Sequence, residues 1–340
     1  MGGFGVTFYS AWRDGIRRVN AAPAILAGAW LLTMLVSVPL TLALRGMLEQ
    51  HLGESLAADT AASGVNYDWM QEFEDRTSGL GATFAPTIIG FGAVLDNLSA
   101  FLDNLHRPVV IAGAAGAYMV LLIFVSGGII DRYARDRPTR AHGFFAASGV
   151  FFLRFLRLAV VMAIVYGLLF GYVHAWLFDR LYPRMTRDLT VERTAFLVRI
   201  ALYVVFGLLL AGCNMVFDYA KVRAVVEDRR SALGAINAAL SFVSRNWAAA
   251  AMLYLADFAL FVLMVAIYAI VAPGAGGTGA TMWIGFAIGQ AYVLGRLWVK
   301  LVFWASETAL FQGRLAHAGY VAAPTPTWPE SPSAEAIRRM

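Results

Sequence analysis

The stretch DYAKVRAVVEDRRSALGAINAAL, residues Asp218–Leu240, lies between two long apolar runs and carries seven charged residues in its first thirteen. Its neighbours decide how it is read. Segments 195–217 and 247–272 are each long and apolar enough to cross a hydrocarbon core, which takes about 20 mostly apolar residues in a helix. Within the stretch, Leu233, Ile236, Leu240, Val243 and Trp247 follow Val222 and Val226 at three- and four-residue steps, the spacing of one helix face. That helix is expected to lie on the membrane surface, with Glu227 reaching Arg230 one turn on.

The rest of the chain repeats this alternation. Six spans are expected, over 22–45, 108–130, 156–178, 195–217, 247–272 and 282–305. The fold class that follows is all-α, a polytopic transmembrane helix bundle with amphipathic interfacial helices. Composition agrees, since 59% of the 340 residues are hydrophobic, 14% are charged and the mean hydropathy is +0.64, where soluble domains hold roughly a quarter charged residues. The single cysteine, Cys213, rules out an intrachain disulfide. The first apolar run is longer than a signal peptide's and is read as a retained span.

An even number of spans puts both termini on one side. With the N-terminus in the cytoplasm, the inner segments hold seventeen Lys and Arg and the outer ones six. The positive-inside rule therefore selects both termini cytoplasmic. The formal charge of +5 is explained by this distribution, and no nucleic-acid module is recognisable.

Segment 131–155, opening DRYARDRPTRAHGFF, repeats the charged start and aromatic-rich helix ahead of a span, and FYSAWRDGIRRVNAAPAI (8–25) does so again. Three copies of one unit, an inner amphipathic helix followed by a two-span hairpin, are the expected plan. Segment 46–107 interrupts it as an outer insertion. There Ile88, Phe91, Leu95, Leu98, Leu102 and Leu105 fall on one face, while Asp96, Asn97, Asp103 and Asn104 make immersion in lipid costly. The reading is an interfacial helix rather than a seventh span. The Pro- and Ser-rich tail 323–340 is expected to be disordered.

Asp257 lies ten positions into the fifth span, about 15 Å from its inner end, and Arg296 lies nine from the expected end of the sixth, about 13.5 Å. The matching depths predict an intramembrane ion pair, with Lys300 snorkelling to the inner interface. Arg17, Arg18, Arg132, Arg135, Lys221, Arg223, Arg229 and Arg230 form a basic lattice beside apolar faces, the composition that binds anionic headgroups. His51, His106, His142, His174 and His317 show no metal-ligand spacing; His174 sits near the outer end of its span. The glycines of 113–117 and 126–130 suggest close helix packing rather than a phosphate loop. No GxSxG is present, no cofactor is implied and no catalytic residue is assigned.

The six-span layout and the DYAKVRAVVEDRRSALGAINAAL element before the fifth span resemble uncharacterised bacterial integral membrane proteins similar to the membrane domain of glycerophosphodiester phosphodiesterases. The outer insertion departs from that compact pattern, and no phosphodiesterase domain is expected within these residues. The resemblance implies a bacterial inner-membrane protein serving lipid or envelope processes, and carries no enzymatic residues over. Two functions are expected. The first is a non-enzymatic membrane protein whose inner helices engage anionic lipid or a cytoplasmic protein partner. The second is a permease for a small or hydrophobic solute with Asp257 and Arg296 in its path.

Overall fold

A computed structural model describes residues 7–53, 55–64, 66–85, 87, 90–274 and 279–315. The tail 323–340, His317 and Ile88 lie outside the described residues.

Six helices are long and apolar enough to cross a membrane, and no strand occurs among the described residues. Helix α1 (Phe8–Asn20) is capped by Thr7, whose Oγ1 accepts the Ser10 N–H. A two-residue turn leads to α2 (Pro23–Gly53). Proline at the first helical position gives up no hydrogen bond, which fixes that start. Short helices α3 (Ala58–Ser63) and α4 (Tyr67–Arg76) and then α5 (Gly90–Leu102) make up the insertion. There Trp69, Met70 and Phe73 pack on Met47, Leu48 and Leu52 of α2. The remaining helices are α6 (Val109–Arg135), α7 (Ala141–Leu168), α8 (Tyr182–Thr186), α9 (Glu192–Val226), α10 (Ala232–Arg245), α11 (Trp247–Val271) and α12 (Ala280–Arg314). Two π-helical turns, Leu169–His174 and Trp176–Leu181, join α7 to α8.

Several helices overrun the expected spans. Helices α6, α9 and α12 continue to Arg135, Val226 and Arg314, so the charged beginnings of the inner segments are helix ends. Pairs one turn apart make this possible: Asp131–Arg135 at 2.9 Å, Asp218–Lys221 at 2.7 Å and Arg223–Glu227 at 2.7 Å. Glu227 also takes Arg229 at 2.5 Å, and no ion pair joins it to Arg230.

Of the three inner amphipathic segments, two form separate helices. Helices α1 and α10 are distinct, the latter begun by the Ser231 cap on Gly234 N–H. The second copy is the first half of α7, which runs unbroken from Ala141 into the third span. A structural likeness between copies survives. Asp136 after α6 and Asp228 after α9 both adopt left-handed backbone, φ 48° and 52°, which a short polar side chain tolerates. Each corner aspartate receives an arginine from the interfacial helix of its own unit, Arg17 from α1 for Asp136 and Arg154 from α7 for Asp228.

Between 0 and 22% of each span's most apolar window is buried in protein. The spans therefore present most of their surface outward, as helices solvated by acyl chains do. The larger buried clusters lie at the end that carries α1 and α10, and smaller ones gather around Phe206 and Phe73 elsewhere. At the α1 end the last turns of α6, α9 and α12 and the first of α7 and α11 enclose Ile130, Phe155, Tyr219, Val225, Phe242, Leu253, Val302 and Leu310. Gly127 and Gly128 serve close packing as expected, since a methyl group there would meet Phe151 and Ser148 at 2.6 and 2.4 Å. Gly113 and Gly116 do not, because both face open space.

Candidate functional site

The α1 end of the bundle buries a polar cluster between α9, α11 and α12. Its anchor is Asp218, one turn past Asn214 on α9. Oδ1 of Asp218 accepts from Lys221 Nζ at 2.7 Å, and Oδ2 accepts from Asn214 Nδ2 at 2.9 Å and the Tyr254 hydroxyl at 3.3 Å. The Tyr166 hydroxyl in turn donates to Asn214 Oδ1 at 3.3 Å. Lys221 and Lys300 both stand by the Trp304 ring, at 5.8 and 5.5 Å from its centroid, where the ring quadrupole attracts a cation. Asp218 is thus a satisfied, paired carboxylate.

Two further acids lie deeper. Asp257 is 0% exposed, and its Oδ2 accepts from Ser306 Oγ at 2.8 Å. The Trp12 indole of α1 approaches the same carboxyl, but hydrogen-bond geometry is not met, so Trp12 Nε1 and Asp257 Oδ1 are left without partners. Glu307, the next residue on α12, is 1% exposed and neither of its oxygens has a partner. The Tyr219 hydroxyl is also buried and unpartnered. Helix α1 covers this region. Gly15 sits on Ser306 so closely that a methyl group there would lie 2.7 Å from its backbone.

The expected Asp257–Arg296 pair is not formed. Arg296 is exposed and makes no ion pair among the described residues, while Asp257 meets Ser306. The reason is the length of α12. Counted from its observed end at Arg314, Arg296 lies about 27 Å along the helix and Ser306 about 12 Å, close to the depth of Asp257. Matching by depth was sound, and the end point was nine residues short. Lys300 stands over the Trp304 ring, one turn nearer the α1 end of the helix.

The basic lattice is mostly engaged within the protein. Arg17 bonds Asp14 and Asp136; those hydrogen bonds, Asp136's first, raise its pKa above the ordinary arginine value. Arg18 bonds Asp14, the Tyr133 carbonyl and Gln312. Arg135, Lys221, Arg223 and Arg229 hold the carboxylates named above, and Arg223 also donates to the Ala238 carbonyl. Arg132 is buried with Nη1 unpartnered. Of the eight, Arg230 alone is exposed without an ion pair. At this end of the bundle, the exposed cations outside that set with no ion pair among the described residues are Arg13, Arg137, Arg140, Arg157, Arg245 and Arg314.

At the opposite end, the last turn of α5 and the residues after it meet the π-helical turn Leu169–His174 and α9. His174 is buried in a π-turn, bonded through Nε2 to the Leu102 carbonyl at 2.7 Å and packed on Phe178 and Phe206. It is a structural clamp rather than a group reaching water. Asp103 accepts from Tyr203 and from Arg199 at 2.8 Å. The Tyr203 hydroxyl, with help from Arg199 and Ser99, holds the Asp103 carboxyl below the usual range against its partial burial.

No family model, curated protein or solved structure matches this chain. Its function therefore rests on its own residues. Among those described, no three His, Cys, Asp or Glu side chains converge as metal ligands. Glu307 escaped the sequence reading because it falls beyond the expected end of the sixth span. The available signal was the apolar helical pattern of Leu297, Leu301, Val302, Ala305, Ala309 and Leu310, which continues past it.

Proposed function

We propose that this is a non-enzymatic protein of the bacterial inner membrane whose cytoplasmic-end helices engage anionic lipid. The observation that carries the reading is the three-sided surface of α10. Ala235, Ala239 and Phe242 face the bundle. Leu233 and Leu240 are exposed on the adjoining flank, followed by exposed Trp247 at the start of α11, and Asn237, Ser241, Ser244 and Arg245 occupy the remaining arc. A helix with one small-residue side, one large apolar side and one polar side fits the line where protein, acyl chains and headgroups meet. Arg230 and Arg245 bracket it as exposed cations, each contributing about 1 kcal/mol toward an anionic surface. The permease reading draws no such support, because Asp257 is enclosed and unpaired with Arg296.

The test is lipid retention. Protein reconstituted with equal phosphatidylglycerol and phosphatidylethanolamine, then re-extracted gently, should carry phosphatidylglycerol in excess by native mass spectrometry. Arg230→Gln with Arg245→Gln should lower that excess several-fold. Equal retention of the two lipids by the native chain would refute the reading.

A further inference from the structure

We propose that the enclosed carboxyl of Glu307, beside Asp257, is a proton-binding site, and that α1 is the lid over it. The argument is independent of lipid binding. It begins with the unequal treatment of three acids in one cluster. Both oxygens of Asp218 have donors, including a lysine. Asp257 has one bonded oxygen and Glu307 none. A buried carboxylate is stable when paired and hydrogen bonded, as Asp218 is; without donors the neutral acid is the form the interior tolerates. Both Glu307 oxygens are sealed from solvent, so the ligand that fits is a proton.

The surroundings do not offer Glu307 another counter-charge. Helix α9 brings Asp218, Tyr219 and Lys221, and α11 brings Tyr254 and Asp257; Asp218 and Asp257 are its acidic neighbours and Lys221, already paired, its basic one. Lys300 of α12 lies on Trp304. Asp14 and Arg18 of α1 bind each other. Helix α6 brings the buried Arg132 and Tyr133, the titratable residues Arg45, Glu49 and His51 of α2 lie toward its far end, and Arg245 of α10 is exposed.

Release of the Glu307 proton needs a water within reach to receive it and leaves a bare charge in the core. Water must therefore enter, and of the two covers that are not spans α1 is the one that reaches the acids, resting on Ser306 through Gly15 and approaching Asp257 through Trp12, whereas α10 packs through Phe242 on Tyr219 and Phe311. Proton release and lifting of α1 are thereby one event.

A spin label at Tyr9→Cys in a Cys213→Ser background, in the full chain in nanodiscs, reads the lid. Raising the pH should mobilise the label in the native chain, and Glu307→Gln should leave it immobile throughout. Infrared difference spectra should show a carboxylic-acid carbonyl band that Glu307→Gln removes. Should that variant fail to fold, Glu307→Asp serves instead, retaining the acid band and moving the midpoint of label release. Identical mobility at every pH, absence of the acid band, or a midpoint that follows sodium concentration would each overturn the proposal.

Discussion

At the scale of the residue, Asp257 was legible because a lone carboxylate amid apolar neighbours stands out in any hydropathy reading. Its partner was not. Choosing Ser306 over Arg296 requires the true end of α12 and the rotation of two helices, and neither is encoded in the local apolar pattern. The corrected contact makes an opposed pair of predictions. Ser306→Ala removes the one hydrogen bond to a fully buried acid, a loss of about 1–3 kcal/mol. Arg296→Gln alters an exposed side chain with no ion pair among the described residues and should stay within about 0.5 kcal/mol. Reversible unfolding in mixed micelles measures both, and a larger loss for Arg296→Gln would restore the ion pair expected from sequence.

At the scale of the element, the interfacial helices show what periodicity can and cannot decide. The α10 break was readable, since Ser231 supplies an N-cap after a run of charges. The α7 join was not, because Arg140 and its neighbours suggest a loop and nothing inside 141–168 marks where a surface helix would hand over to a span. Charges paired one turn apart are equally at home in a helix. The corner aspartates provide a sharper mark of the repeated unit, and their two arginine pairs differ in environment. Side chains of Arg154 and Asp228 are 15% and 27% exposed, against 56% and 32% for Arg17 and Asp136. Double-mutant cycles should therefore give a coupling of about 1–3 kcal/mol for Arg154–Asp228 and below about 1 kcal/mol for Arg17–Asp136, where water screens the charges and Asp14 shares the arginine. Equal couplings would mean that burial does not distinguish the two units.

At the scale of the whole molecule, the spans bury little against one another while the α1 end is packed like a soluble core. Six apolar runs made the bundle legible, but the uneven distribution of packing was not, because a helix facing lipid and a helix facing protein are both apolar. That asymmetry gives the orientation its consequence: a compact, arginine-studded end meets the cytoplasm if the positive-inside rule holds. Single cysteines in a Cys213→Ser background decide it. Arg140, Arg245 and Arg187 are all exposed, the first two at the α1 end and the third between α8 and α9 at the other. In intact spheroplasts a membrane-impermeant maleimide should label Arg187→Cys and spare Arg140→Cys and Arg245→Cys until the membrane is opened. The four arginines of the 179–194 loop are the charges that oppose this arrangement, so neutralising them should leave the pattern unchanged. Labelling at Arg140→Cys in closed spheroplasts would turn the molecule over, place α10 at the outer leaflet and remove the inner-leaflet lipid from the proposed function.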